Sequence, residues 1–467
     1  MVPTRSGLTS LFSLTTLIIS VGNMHINYPY IVPRLFTRTF KLVISIPVAR
    51  DMGAYLAINS MGFVDENENL IHRRLEVNWY GTDDLGPDSN VWVNVYDQSP
   101  EGTTIEPILS APINGFTNHH NVTDIMLPIV TDEEMWRVSQ CIFPFWVQLV
   151  DGTNQDPLTS PRCLRSQPSW MMDHKEAFAD LAIGDLMLIA SHDAASYRYY
   201  SGEDELTELI AGQIYTQEES LLHQLIWGVR FLDIRVAHYP EFTDEQFWLV
   251  HSVALVRSLR EGIEQVQKFM RNTEEIVIWD THTFFREWDD LVHEEYLQIL
   301  QEEFGSWWVR PSGKGWNLTL GDIWDQDVLV NGQGRMIFIN EDADHADPNL
   351  FFPNIPEFWG DKDEVEDLKV YLDSVVNVVE NTDGDVYRPW RPNCQLTGNV
   401  EDFLTQKYSG LREMADVVNR QMTDWWRTDY QDLTHVYSLH DYFLGTDMIQ
   451  IAIDRNLNLA RQRKLNY

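Results

Sequence analysis

The sequence predicts an α/β fold: a distorted TIM-type (β/α) barrel, preceded by a small all-β sandwich-like domain. Three observations predict it. From Met171 onward, short apolar runs alternate with long helical stretches, the pattern of a parallel α/β architecture. Several of those runs end on His, Asp or Arg, and active sites of closed barrels lie at the C-terminal ends of the strands. Residues 51–165 instead carry short alternating runs split by Gly, Asp, Pro and Ser, as antiparallel sandwiches do. The 467 residues are too long for one average domain and suit two.

Taken in order, residues 1–50 lack Asp and Glu and carry Arg5, Arg34, Arg38, Lys41 and Arg50. Leu11–Val21 is an apolar run too short to cross a bilayer and precedes Gly22, so a cleaved secretory signal is expected. A second run, Leu42–Ala49, offers another position for it, and an Arg-rich transit segment is the weaker reading. The expected location is secreted or lumenal, with the cytoplasm as the alternative. In the β module, Leu75–Tyr80, Val91–Tyr96 and Ile142–Val150 read as strands. Cys141 and Cys163 flank a strand and loop and can pair in an oxidising compartment. A Pro-, Ser- and Thr-rich linker, 151–170, leads to the barrel at 171–467. Its strand candidates are Leu186–Ala190, Arg230–Val236, Phe247–Val250, Ile276–Asp280, Asp327–Val330, Met336–Asn340 and Val436–Leu439. Helices are expected near 214–227, 257–271, 286–304, 363–380, 399–426 and 445–460.

Composition narrows the function. Hydrophobic residues at 44% and charged residues at 22% are ordinary for a globular chain. The net charge of −37 argues against nucleic-acid binding, which needs a basic face. It equally disfavours long-range attraction to an anionic leaflet, so membrane contact is expected to be peripheral at most. No protein partner is identifiable. Of the 17 Trp, Trp279, Trp307, Trp308 and Trp316 read as core.

The chemistry lies at the strand ends. Leu188-Ile-Ala-Ser-His192-Asp193 closes one run, Phe231-Leu-Asp233-Ile-Arg235 the next, Leu249-Val-His251-Ser252 a third, Ile276-Val-Ile-Trp-Asp280-Thr-His282 a fourth and Tyr437-Ser-Leu-His440-Asp441 the last. Each residue alone has a structural explanation as a cap, turn or ion pair. Together, paired histidines, an arginine and several carboxylates suit cleavage of a phosphodiester. Imidazole titrates near neutrality and serves as base or acid. Carboxylates fix its tautomer, and a guanidinium grips phosphoryl oxygens as charge builds.

These motifs, SHDAASY, Thr216-Gln217, Gln224-Leu225, GVRFLDIR, LVHS and EEIVIWDTHTF, resemble the X domain of phosphatidylinositol-specific phospholipase C over about residues 175–460. The nearest flavour is that of the animal X-domain-only proteins. The resemblance implies that His192 takes the proton of an inositol 2-hydroxyl, whose oxygen attacks phosphorus. A cyclic inositol phosphate forms and diacylglycerol leaves. It implies His251 as general acid, Asp233 as a carboxylate assisting His251 or the hydroxyl, Asp193 after the base, and Asp441 orienting His192. Calcium-dependent members carry a metal-binding carboxylate where this chain has Arg235, as bacterial members do. A fixed cation there repels another, so metal-independent catalysis with no cofactor is expected and Ca²⁺ is disfavoured. Asp280 stands where calcium-dependent members carry another carboxylate ligand, and with Asp193 and Asp233 it is the position expected to serve if a cation binds. Lys314, Arg335 and Arg391 are candidates for holding the substrate head group.

Two other readings compete. Metal-dependent glycerophosphodiesterases and sphingomyelinase-D-like barrels use a Glu-x-Asp pair where this chain has Asp233-x-Arg235, which counts against them. A catalytically weak lipid- or glycan-binding barrel would not need both histidines and the arginine.

Overall fold

The computed structural model describes residues 52–465 outside the segments 65–69, 83–84, 86–88, 103–104, 117–118, 129, 137–140, 198–211, 253, 287, 327–333, 383–385, 387, 400–404 and 406. The expected targeting segment 1–50 and the strand candidate Asp327–Val330 lie outside the described residues.

Eight strands come first: β1 (Gly53–Ile58), β2 (Phe63–Val64), β3 (Leu70–Tyr80), β4 (Val91–Tyr96), β5 (Leu109–Pro112), β6 (His120–Leu127), β7 (Cys141–Asp151) and β8 (Arg162–Arg165). They form two antiparallel four-stranded sheets, β1-β3-β2 with β6 on β3, and β5-β4-β7-β8. Alternation explains them: Val91, Val93 and Val95 bury one face, as do Leu75, Val77 and Trp79. Cys141 and Cys163 are joined in a disulfide.

The second part carries β9 (Met187–Ser191), β10 (Phe231–His238), β11 (Phe247–His251), β12 (Ala254–Ser258), β13 (Ile276–Phe285), β14 (Arg335–Asn340), β15 (Glu357–Phe358), β16 (Arg391–Pro392) and β17 (Val436–His440). Among the described residues, six helices of seven residues or more flank them: Leu221–Trp227, Leu259–Asn272, Asp290–Phe304, Val365–Asn381, Leu411–Arg427 and Met448–Leu465. Ser220, Ser258 and Asp289 cap the first three by accepting a backbone N–H of the first turn. The first helix stops at Gly228, whose φ of 124° suits glycine and where a Cβ would lie 2.7 Å from Ile449.

Strands β17, β9, β10, β13 and β14 run parallel in that order. Two departures from the expected barrel stand out. The continuous ladder does not close: beyond β14, among the described residues, there are isolated parallel bridges, Trp308 to Met336, Ile339 to Phe352, Trp390 to Val436 and Asn393 to Leu439, and the two-residue β15–β16 pair. Pro353, Pro356, Pro389 and Pro392 fall in this arc, and each removes a backbone donor a ladder would need. The fold is mixed α/β, and a closed barrel goes beyond what its ladder contains. In addition, β11 is antiparallel to β10 and β12 antiparallel to β11. The run ending in His251 is thus a returning hairpin strand and not another parallel barrel strand.

The two sheet faces differ. Met187, Ile189, Leu232, Trp279 and Phe338 belong to a cluster that continues into Leu56, Val77 and Leu149 of the β-sheets. One apolar core thus runs through both parts of the chain. Leu188, Ala190, Phe231, Ile278, Ile339 and Leu439 form the other face. Polar ties add to this. Arg73 of β3 pairs with Glu219 and lies 3.5 Å from Glu218, just after Thr216-Gln217. Glu76 takes both arms of Arg420 at 2.7 Å.

At the base, fully buried Arg230 and Glu275 pair at 2.7 Å. Arg230 also donates to the carbonyls of Leu225, Val229, Gln167 and Pro168, and Glu275 accepts from Met171 and Met172 N–H. This pair pins the linker to the starts of β10 and β13. Removing one member leaves an uncompensated buried charge, so Glu275→Ala should lower unfolding stability by about 3–5 kcal/mol. Chemical denaturation checks this, and a loss below about 1 kcal/mol would contradict the assigned role.

Candidate active site

The site is an extension of the strand alternation. Leu188 and Ala190 of β9 lead to His192. Phe231 leads to Asp233 and Arg235, Ile276 and Ile278 to Asp280, and Ile337 and Ile339 to Glu341. Tyr437 and Leu439 lead to Asp441. Every second residue faces the same side, so each stem is apolar and each tip polar. Register brings the tips together. His440 pairs with Ser191, which sets Asp441 beside His192. Leu232 pairs with Ser191, and Asp233 with Asp280. His251 arrives from the opposite direction: Val236 pairs with Leu249, so the antiparallel strand returns its end toward the level of Asp233–Arg235. Asp193 turns at φ 40° and Ser252 at φ 55°, sharp corners just past β9 and β11.

Arg235 links the group. Its Nη2 lies 2.8 Å from His192 Nε2 and donates to Asp233 Oδ2 at 3.1 Å, while its Nε stands 3.6 Å from Asp193 Oδ2. His192 Nδ1 is 2.7 Å from Asp441 Oδ1. Burial is the largest single influence on His192 and disfavours its imidazolium, but Asp441, helped by Asp233, outweighs burial and Arg235 and raises the pKa. The contact with Arg235 demands the opposite, because a guanidinium has no lone pair to accept with. The contact decides the form present here: His192 is neutral, donates Nδ1–H to Asp441, and presents an Nε2 lone pair.

His251 is the complement. A carbonyl can only accept, so its Nδ1–H donates to Ile214 O at 2.5 Å and Nε2 faces Asp193 Oδ2 at 4.0 Å. Burial, then His192 and Arg235, depress its pKa to about 4. Asp193 moves the other way: burial and then the neighbouring Asp233 push its carboxyl up to about 7, against Arg235. Neither oxygen of this fully buried carboxyl has a hydrogen bond. Asp233 stays ionised: burial would raise it, but Arg235, His282 and His192 hold it well below the usual carboxylate range. The carboxyl nearest His251 is therefore Asp193. Asp233 serves Arg235 and accepts Asp193 N–H at 2.8 Å.

Thr216 and Gln217 hold the corner. Thr216 Oγ1 donates to the carbonyls of His192 and Asp193, both at 3.0 Å, and Gln217 Nε2 to those of His192 and His440 at 2.9 and 2.8 Å.

A second cluster adjoins. Asp280, His282 and Glu341 lie within 4.8 Å of one another, a spacing that would suit a cation. Arg391 bonds to all three, to Asp280 most closely, to His282 Nδ1 at 3.1 Å and to Glu341 at 3.3 Å, and also to Glu357 at 3.2 Å. Its side chain is 1% exposed, so this guanidinium is spent on carboxylates and not held out to solvent. The other expected head-group residues join neither cluster. Lys314 pairs with Asp322 at the surface. Arg335 opens β14, at the far end of the strand from Asn340, and donates to the carbonyls of Ile323 and Trp324. Sequence reading named His282 as the end of its strand run without giving it a role, and missed Glu341. His282 is the extra residue where the β10–β13 register shifts, a bulge that re-aims a side chain. Glu341 was legible as the polar tip after Ile337 and Ile339.

No protein-family model matches the chain. In sequence it is similar to human PI-PLC X domain-containing protein 1, 23% identical over 272 residues, 54% of this chain and 80% of the relative. Human PI-PLC X domain-containing protein 2 is 23% identical over 226 residues, 44% and 72% of the two chains. PI-PLC X domain-containing protein 3 of Danio rerio is 23% identical over 229 residues, 44% and 68%. Among solved structures it is similar to the phosphatidylinositol-specific phospholipase C of Listeria monocytogenes, with TM-score 0.46 and 15% identity over 62% of this chain and 98% of that one. A Staphylococcus aureus enzyme of the same description gives 0.47 and 14%, over 62% and 98%.

The tautomer of His192 is directly checkable. Long-range ¹H–¹⁵N correlation at pH 8 should show a protonated Nδ1 and a pyridine-type Nε2. An Nε2–H tautomer at that pH would contradict the Arg235 contact.

Proposed function

Taking the chain as a sequence relative of the PI-PLC X domain-containing proteins, we propose that it is a phosphodiesterase of the phosphatidylinositol phospholipase C type. Its substrate is a phospholipid with an inositol head group or a related phosphodiester, reached at a membrane surface by peripheral contact. The observation that carries this reading is the neutral His192, held between Asp441 and Arg235 with its Nε2 lone pair beside the guanidinium. Base and phosphoryl clamp then act on neighbouring atoms of one substrate.

Mechanistically, His192 Nε2 takes the proton of the hydroxyl adjacent to the phosphate, and that oxygen attacks phosphorus. The Asp441 carboxylate stabilises the imidazolium that forms. Arg235 lets go of Nε2 as it gains the proton and turns its N–H groups to the phosphoryl oxygens, where charge accumulates. The lipid alkoxide leaves with a proton from the Asp193–His251 pair. At rest His251 is neutral, so the proton comes from the Asp193 carboxyl, and a bound phosphodiester anion raises His251 to relay it. A cyclic phosphodiester is the product. Arg235 supplies the positive charge at phosphorus, so the reaction runs without Ca²⁺. The arc of residues 352–358 and 390–393 completes a distorted barrel around this mouth. The Cys141–Cys163 bond supports an oxidising, secreted or lumenal setting. Among the described residues no helix is long and apolar enough to cross a membrane.

Purified protein should convert phosphatidylinositol to a cyclic inositol phosphate. His192→Ala and His251→Ala should each slow turnover at least ~100-fold, and Arg235→Ala by about 10²–10³. Near-normal turnover in either histidine variant would refute the roles. A calcium chelator should leave the rate unchanged, and a loss that Ca²⁺ but not Zn²⁺ restores would overturn the Arg235 assignment.

The pH profile of kcat/KM should be a bell near neutrality. His192 must be neutral, so the rate falls as pH drops through its raised pKa. Asp193 must be protonated, so the rate also falls as pH rises past about 7. Asp193→Asn should move the alkaline limb toward lower pH, and an unmoved limb would remove Asp193 from the acid.

A further inference from the structure

We propose that His293, Asp342 and His345 form a binding site for a divalent transition-metal ion of the zinc class. The proposal is independent of the phosphodiesterase reading. His293 lies in the helix Asp290–Phe304, and Asp342 and His345 lie in the turn that follows β14. His345 Nδ1 stands 3.1 Å and His293 Nε2 3.2 Å from the same oxygen, Asp342 Oδ2. The three side chains bring one donor atom each to within 4.8 Å of one another. Zinc bonds of about 2.0–2.1 Å at tetrahedral angles place donors about 3.3 Å apart, so the two measured separations already have the required edge.

The surroundings are built for this. Asp342 Oδ1 accepts Asp344 N–H at 3.1 Å, and Asp342 N–H donates to Asn340 Oδ1 at 3.0 Å. The carboxylate is thereby fixed with Oδ2 left to the imidazoles. His345 Nε2 lies 3.2 Å from Asp290, the outer carboxylate that reserves Nδ1 for a metal. His293 is 5% exposed and packs against Phe284 and Trp288, both at 4.9 Å, and its Nδ1 has no partner. The two imidazoles stack with centroids 3.8 Å apart and planes 6° apart. Two imidazolium rings so placed repel one another. A divalent ion lets both rings bind neutral and puts positive charge on Asp342 instead.

Coordination releases the protons that face Asp342, and the rings must open from their stack for both lone pairs to meet one ion. Water can fill the fourth position. Two imidazoles and one carboxylate suit Zn²⁺ or Co²⁺ rather than Ca²⁺ or Mg²⁺, which take oxygen donors. Bound metal would pin the helix to the turn that carries Glu341, the partner of Arg391.

The full chain, stripped by chelator and dialysed, is titrated with Co²⁺ and then Zn²⁺. Wild type should bind one equivalent of Co²⁺ with the visible absorption of a tetrahedral site, lose it to Zn²⁺, and melt at higher temperature with Zn²⁺. His345→Ala and Asp342→Asn, at partly exposed positions, should each weaken binding at least about tenfold while keeping the wild-type circular dichroism. His282→Ala, in the neighbouring cluster, should bind as wild type does. Undiminished binding in His345→Ala and Asp342→Asn, loss in His282→Ala alone, or no stoichiometric binding by wild type would each overturn the proposal.

Discussion

Arg235 is the group on which the site depends. A guanidinium is always charged and can only donate. Set between Asp233, Asp193 and His192, it keeps one carboxyl ionised while burial leaves the other close to neutrality, and it forces an imidazole to remain a base. One fixed cation thus separates two adjacent carboxyls into different protonation roles.

The sheet supplies this geometry by a simple rule. Apolar residues at alternate positions bury the lower half of each strand, and the same alternation delivers polar side chains above them. The buried stems give the tips their low-dielectric surroundings, which strengthen every charge interaction among them. Asp193 is the clearest consequence: a fully buried carboxyl without a hydrogen bond is held in place by the corner that Thr216 and Gln217 tie down. Such a group weakens the folded state and is suited to chemistry.

The β-sheets of residues 53–165 take part in this support. Their apolar core is continuous with the outer face of the parallel strands, and Arg73 grips the residues just beyond Thr216-Gln217. A change in these sheets would therefore be felt at the corner of His192 and Asp193 through two routes, packing and charge. Arg391 plays a parallel structural part on the other side of the site, where it gathers Asp280, His282, Glu341 and Glu357.

By itself the sequence determined the mixed α/β class, the β strands ahead of it, the places of the parallel strands it named among the described residues and the polar tips His192, Asp233, Arg235 and Asp441, although it ended β13 at Asp280 where the strand runs on to Phe285. Each follows from local periodicity, which neighbouring residues alone specify. It could not determine that β11 runs antiparallel, because a five-residue apolar run reads the same in either direction. Nor could it find the bulge at His282, which exists only relative to a partner strand. It placed Lys314 and Arg335 among candidates by charge, and only tertiary contacts show their charges directed to Asp322 and to backbone carbonyls. The family resemblance left Asp233 to assist either His251 or the attacking hydroxyl, and only the returning hairpin shows that His251 Nε2 faces Asp193, at 4.0 Å. Register and strand direction are long-range properties, and they decide which acid meets which base.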